Sequence, residues 1–169
     1  VIIYVLKNIL TRGHYVQKEL NDDFSEHVYN DFITSLDPSK RYFTQEDLTE
    51  FSQYKYEIDN QLQESNIDFY KLVYGRFLEK LQTAKITYKN FLLQPFDYTK
   101  KEVIDLDYKK VPFAKNENEL LDYWRQQLKL QVLSRIQEAD EQQEEKLKKD
   151  PTFKIKNFET LEFEARTAV

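Results

Sequence analysis

The sequence has no cysteine and no methionine, and it holds only 2 glycines and 4 prolines. Without cysteine the chain can form no disulfide, thiolate metal site or cysteine nucleophile, and this absence is compatible with an oxidising compartment. The scarcity of glycine excludes glycine-rich phosphate-binding loops. It also leaves few turn signals, so the composition favours an all-α chain.

A surplus of basic residues and a long apolar run are also missing. The formal net charge of −5 argues against nucleic acid or an anionic membrane as the main partner, because both require concentrated Lys and Arg. No apolar stretch approaches the ~20 residues that span a bilayer. The opening residues lack the charged region and cleavage site of a signal peptide. Because even position 1 is not Met, we expect a fragment of a longer protein, and any native signal would lie upstream.

Aromatic side chains and charged residues dominate what is present. The chain has 12 Tyr, 12 Phe and 1 Trp, so ring packing between helices is expected to supply much of the core. Its 169 residues fit one domain of ordinary size, and 33% of them are charged, which suits exposed helix faces. We therefore predict a single helical domain over residues 1–169.

Apolar residues at helical spacing predict about six helices in an irregular bundle. The predicted segments, with their caps and stops, cover residues 1–12, 21–36, 44–65, 68–94, 116–150 and 157–169. Between the fourth and fifth segments, residues 95–115 contain Pro95 and Pro112 and lose the periodicity. Their apolar residues, including Val103 and Leu106, favour an ordered connection with a short extended piece over a disordered linker.

The stretch Leu36-Asp37-Pro38-Ser39-Lys40-Arg41-Tyr42-Phe43 interrupts the helical pattern most clearly. Pro38 fixes its own φ and disfavours the α region for Asp37, so the incoming helix is expected to stop near Leu36. Thr44 then caps the next helix. The stretch is predicted to be a structural corner.

No catalytic or metal-binding pattern is complete in this sequence. A calcium loop starting at Asp37 fails because Tyr42 occupies the glycine position and Leu48 the final carboxylate position. His14, Asp23 and His27 could meet in principle, but they match no metal-binding signature. The serines lie in helical or capping contexts without a nucleophile elbow or a glycine-rich oxyanion loop. We therefore predict no catalytic, cofactor-binding or metal-binding residues in this chain.

Two further features have competing interpretations. Trp124 lies at core spacing with Leu120 and Leu128, which favours a core anchor over a ligand platform. After Ala139 the apolar face of the same helix gives way to charged residues. This extension is interpreted as a solvated helix, with a partner-binding arm as the alternative.

Four stretches together resemble the N-terminal helical domain of bacterial tail-specific proteases (Prc/Tsp-like C-terminal processing peptidases), in their Bacteroidetes-type branch. They are Leu10-Thr11-Arg12-Gly13-His14-Tyr15, Asp23-Phe24-Ser25-Glu26, residues 36–43, and Val111-Pro112-Phe113-Ala114-Lys115-Asn116-Glu117-Asn118-Glu119-Leu120 leading into Trp124. They occur in the same order as in the family, and the resemblance covers nearly the whole chain.

The resemblance implies a periplasmic, cell-envelope or secreted serine endopeptidase that processes or degrades proteins from nonpolar C-terminal tails. In such enzymes this helical segment precedes a PDZ domain and a protease core with a Ser/Lys dyad. Neither is contained in residues 1–169, so no catalytic residue carries over and the fragment is expected to be inactive. The implied partners are the remainder of its own chain, protein substrates and an adaptor protein.

The alternative is a free-standing helical protein–protein interaction module. The sequence downstream of Val169 distinguishes the two, since a PDZ-like segment and protease motifs would support the first hypothesis and an immediate stop the second. In either case the expected docking surface is an exposed aromatic patch or the acidic helix beyond Ala139.

Overall fold

The computed structural model describes Val5, Asn8, Ile9 and residues 19–169. Within these residues six α-helices form: α1 Asp22–Leu36, α2 Gln45–Phe51, α3 Ile58–Glu64, α4 Asp68–Leu92, α5 Glu117–Lys149 and α6 Phe158–Ala168. This part of the chain contains no β-strand, and Thr44 and Ala114 form an isolated parallel bridge. The all-α prediction is confirmed. The helix predicted over residues 1–12 lies outside the described residues except at three positions.

Polar caps start α1, α5 and α6 where the sequence predicts them. The Asn21 side chain accepts the N–H of Phe24 at 2.9 Å, and the Asn157 side chain accepts that of Thr160 at 2.9 Å. Asn116 likewise accepts the N–H of Glu119 at 3.1 Å. These side chains satisfy amide groups that have no partner within the helix.

The start of α4 differs slightly from the prediction. The sequence predicts Asp68 as the N-cap, but Asp68 is the first helical residue. Its N–H is accepted by the Asn66 side chain at 3.1 Å, and the N–H of Phe69 is accepted by the Gln61 side chain at 3.1 Å. A residue from the preceding helix therefore helps to cap α4, which local sequence cannot show.

The helix predicted over residues 44–65 is broken in the middle. A 3-10 helix, Ser52–Tyr54, follows α2, and α3 begins at Ile58. Phe51 and Ile58 are both buried, so the apolar spacing continues across the break and conceals it in the sequence. Ser65 then ends α3 in the left-handed region, at a φ of 59°.

The chain divides into two compact units, the first comprising residues up to Thr83 together with Asp107–Leu120. The core of this first unit is rich in rings, and it consists of Tyr29, Ile33, Phe43, Phe51, Ile58, Phe69 and Val73. The rings of Phe43 and Phe51 meet edge to face, with centroids 5.3 Å apart. The predicted aromatic core is confirmed here.

The second unit comprises Ala84–Leu106 and Leu121–Val169. One buried cluster joins α5 to α6 and consists of Val132, Ile136, Leu161 and Ala165. Trp124 is fully buried on α5, and its ring meets that of Tyr88 edge to face at 5.6 Å. The prediction that Trp124 is a core anchor is confirmed.

The connection between α4 and α5 has no regular secondary structure over residues 93–106. Its backbone is nonetheless held, because Lys129 on α5 donates to the carbonyls of Asp97 at 2.6 Å and Lys100 at 3.3 Å. Val103, in the predicted extended piece, is 95% exposed and takes no part in a strand.

Candidate functional site

One carboxylate organises the turn at residues 36–43. Asp37 is 2% exposed, and its two oxygens accept the backbone N–H groups of Arg41 at 2.7 Å and of Tyr42 and Phe43 at 2.9 Å each. Lys40 adopts a φ of 53°, the left-handed region that reverses the chain. The turn is therefore fixed by three charge-assisted hydrogen bonds.

The two basic side chains of this turn contact the end of the 95–115 connection. Lys40 Nζ donates to the carbonyl of Val111 at 2.6 Å and lies 5.7 Å from the centroid of the Phe113 ring. The Arg41 guanidinium lies 4.9 Å from the centroid of the Tyr108 ring and donates to its hydroxyl at 2.5 Å. Both bases are thus engaged within the first unit.

The backbone joins the same two stretches. The N–H of Gln45 donates to the carbonyl of Ala114 at 2.8 Å, beside the bridge between Thr44 and Ala114. Two of the four stretches on which the family resemblance rests, residues 36–43 and 111–120, are therefore neighbours in the fold. The sequence suggests each separately but not their contact.

A buried acid links α2 to α4 in the first unit. Asp47 is 3% exposed, closes a capping box with Thr44, and pairs with Arg76 and, at 3.5 Å, with Lys80. Burial alone would raise the pKa of Asp47, but the hydrogen bonds from Thr44 and Arg76 and the charge of Lys80 lower it below its ordinary value. The carboxylate stays ionised at neutral pH and acts as a structural clamp.

The candidate metal ligands do not converge in the described chain. His14 lies outside the described residues, and the Nδ1 atom of His27 lies 2.6 Å from the backbone oxygen of Asp23. Among the residues that the structure describes, no group of three or more His, Cys, Asp and Glu side chains could hold a metal ion.

Ser25 forms a polar pair that the sequence does not indicate. Its hydroxyl is buried, donates to the Asp59 carboxylate at 2.7 Å and accepts the N–H of Asp59 at 2.9 Å. Because Ser25 lies on α1 and Asp59 on α3, this pair ties the two helices together.

The second unit has an ionic cluster around Glu102. Lys129, whose side chain is 7% exposed, donates to the Glu102 carboxylate at 2.7 Å, and Arg125 pairs with the same carboxylate. The hydrogen bonds from Arg125 and Lys129 lower the pKa of Glu102 to about 2.

Beside this cluster lies a pocket of about 310 Å³, lined in part by Tyr98, Lys100, Ile104, Gln126 and Leu130. The ammonium group of Lys129, which also lines it, is already held by Glu102 and two backbone carbonyls. This base therefore serves the packing of the connection rather than a ligand.

An exposed stripe of side chains runs along α4 in the first unit. Tyr70, Tyr74 and Leu78 are 45%, 37% and 47% exposed and succeed one another at four-residue intervals. The rings of Tyr70 and Tyr74 are stacked, with centroids 5.3 Å apart and planes 12° from parallel. We call these three residues the α4 stripe; the sequence predicts an exposed aromatic patch but not its position.

The helix beyond Ala139 is more than a solvated extension. Glu144 and Glu145 are exposed, as expected, but Gln143 is 6% exposed and its side-chain oxygen accepts the N–H of Lys156 at 2.6 Å. One side of the extension therefore holds the segment that leads into α6.

The family comparison agrees with the motifs. A family model described as the tail specific protease N-terminal domain matches residues 5–168. The chain therefore belongs to this family, and the resemblance of the four sequence stretches to the N-terminal domain of tail-specific proteases is confirmed. The chain is also similar to the Tail-specific protease of Haemophilus influenzae (strain ATCC 51907 / DSM 11121 / KW20 / Rd), with 28% identity over 128 residues, which is 74% of this chain and 18% of that relative.

The chain thus spans 18% of the length of that protease. Among the described residues, none of the helices is long and apolar enough to cross a membrane.

Proposed function

We propose that this chain is the non-catalytic N-terminal module of a tail-specific serine endopeptidase, which processes or degrades proteins from their C-terminal tails. The match of residues 5–168 to the N-terminal domain family carries the proposal. The match to the Haemophilus relative supports it, because this match covers only 18% of that protein. The rest of that protein is long enough to contain a catalytic domain.

In this proposal the module packs on the remainder of the protease, frames the path of the substrate and offers a docking surface to an adaptor. The active centre, expected to be a Ser/Lys dyad, and the PDZ domain belong to other parts of the enzyme, in the periplasm or cell envelope. The internal engagement of Asp37, Asp47, Ser25 and Lys129 supports a structural role for the polar groups of this chain.

A cleavage assay tests this proposal. The 169-residue chain is incubated with a reporter protein that ends in a nonpolar tail, and the full-length protease serves as the positive control. We expect cleavage by the full-length enzyme and none by the chain alone. Cleavage by the chain itself would refute the non-catalytic role, provided that the activity elutes with the chain on size-exclusion chromatography, which excludes a contaminating protease.

A further inference from the structure

An apolar groove adjoins the α4 stripe on the first unit. It is a pocket of about 180 Å³ whose lining includes Val28 and Phe32 from α1, Ile58 and Leu62 from α3, and Phe69 and Tyr70 from α4. Two polar side chains of the lining are already engaged, since Gln61 accepts the N–H of Phe69 and Asn66 accepts that of Asp68. The groove therefore offers mainly apolar contacts.

Tyr70 belongs to both features, so the groove and the α4 stripe form one continuous surface. Its ring lies 5.7 Å from that of Phe32 in the groove and 5.3 Å from that of Tyr74 in the stripe. From Tyr70 to Leu78 the stripe extends about 12 Å along α4, at about 1.5 Å per residue. Isolated exposed apolar residues are ordinary, whereas exposed rings that continue into an apolar groove form a candidate docking surface.

The charges around the groove are mainly of one sign. Asp31 on α1 directly precedes the lining residue Phe32, Glu64 on α3 lies two positions after Leu62, and both are exposed. Neither helix carries Lys or Arg. The nearby bases are already paired, Lys55 with Glu26 at 2.8 Å and Lys71 with Asp68 at 3.3 Å. Exposed carboxylates thus adjoin the lining on two of its helices and can attract the basic side chains of a partner.

We propose that the groove and the α4 stripe bind a cationic amphipathic helix of a partner polypeptide. Apolar side chains on about two turns of that helix would cover Tyr70, Tyr74 and Leu78 and fill the groove, while flanking Lys or Arg side chains would face the carboxylates of α1 and α3. Apolar anchors supply most of the affinity in such helix-in-groove contacts, and complementary charge selects the partner. The inference rests on the proposed role of the chain as a docking module.

Three synthetic peptides probe the surface by fluorescence anisotropy against the 169-residue chain. The first is a helix of about five turns with a leucine face and lysine flanks, the second has glutamate in place of lysine, and the third is a scrambled form of the first that lacks an apolar face. We expect the first peptide to bind at least about tenfold more tightly than either control, a difference of about 1.4 kcal/mol. Equal affinity for the first two peptides, or no binding of the first, would overturn the proposal.

Matched variants locate the binding. Tyr74→Ser with Leu78→Ser removes part of the α4 stripe, and its control, Ile155→Ser with Phe163→Ser, removes apolar residues of similar or greater exposure from the second unit. Asp31→Lys reverses the exposed charge that precedes the lining residue Phe32, and Glu144→Lys makes the same change on α5. We expect the first member of each pair to weaken binding at least about fivefold and its control to change it by less than about twofold.

Loss of binding in the α5 control would assign the partner to the acidic extension instead and overturn the proposal. Circular dichroism of every variant verifies that the helices persist. The proposed function is tested independently of this inference, because the cleavage assay contains no peptide and the peptide assay requires no protease activity.

Discussion

Asp37 shows how one side chain can fix the path of the chain. Its carboxylate accepts three consecutive backbone N–H groups, while Lys40 provides the left-handed conformation that brings them together. Pro38 explains why α1 stops, but it does not explain the shape of the turn after it. The carboxylate does, because it replaces the hydrogen bonds that the turn cannot make to its own backbone.

The first prediction concerns Asp37→Asn. The amide keeps one acceptor oxygen but turns an NH₂ group towards N–H donors, so at least one buried donor loses its partner. We expect the free energy of unfolding to fall by about 2–3 kcal/mol, measured by urea denaturation. Asp31→Asn, an exposed change on the preceding helix α1, should stay within about 0.5 kcal/mol of the parent protein. Equal stability of the two variants would show that the turn does not depend on the carboxylate.

The second prediction concerns the acid sensitivity that Glu102 confers. Arg125 and Lys129 lower the pKa of Glu102 from 4.5 to about 2 in the folded chain. The Glu102 carboxylate therefore binds a proton more readily in the unfolded chain. The stabilisation is fully present above pH 4.5 and is lost as the pH falls towards 2.

Glu102→Gln removes this titration. The variant should be less stable than the parent at neutral pH, and its free energy of unfolding should fall less when the pH is lowered to about 3. Denaturant titrations at both pH values provide the measurement, with the exposed Glu145→Gln as control for the loss of one negative charge. A parent and Glu102→Gln with the same pH dependence would contradict the role of the cluster.

At the scale of helices, local sequence signals predict where a helix begins better than whether it continues without a break. Asn21, Thr44, Asn116 and Asn157 cap their helices as expected, because each cap acts on amide groups within three residues of it. The break at Ser52–Tyr54 leaves no comparable signal, since the apolar spacing runs through it unchanged.

The unpredicted contacts join elements that are far apart in sequence. Asp59 binds Ser25 across 34 residues, and Lys40 reaches Val111 across 71. Spacing along one helix identifies a buried face but not the partner of a polar side chain on it. For the same reason the sequence indicates a surplus of exposed rings without locating the α4 stripe.

The third prediction tests α5 as the central element of the second unit. Trp124 lies wholly within the protein core, with 0% of its surface open to solvent. Trp124→Ala should therefore lower the free energy of unfolding by about 3–5 kcal/mol, through lost burial and the cavity left behind.

Phe163→Ala on α6 is the matched control for an aromatic truncation. Its side chain is 61% exposed, so we expect a change of no more than about 0.5 kcal/mol. Thermal and urea unfolding of both variants measure the difference. A Trp124→Ala variant as stable as Phe163→Ala would mean that α5 is not anchored by this ring.

At the scale of the whole molecule, composition and motif order predict the class of the chain. The scarcity of Gly and the absence of Cys favour an all-α fold without a phosphate loop or thiol chemistry, and four ordered stretches indicate the family that the comparison confirms. The role that we propose for the chain depends on surfaces, and these arise only when distant residues meet.

The central claim is that this chain packs on the remainder of a protease whose active centre lies elsewhere. Light scattering coupled to size-exclusion chromatography tests it most directly. The 169-residue chain is mixed with a truncated protease that lacks this region. We expect a one-to-one complex whose mass equals that of the intact protease. Separate elution of two well-folded components at every mixing ratio would contradict the claim.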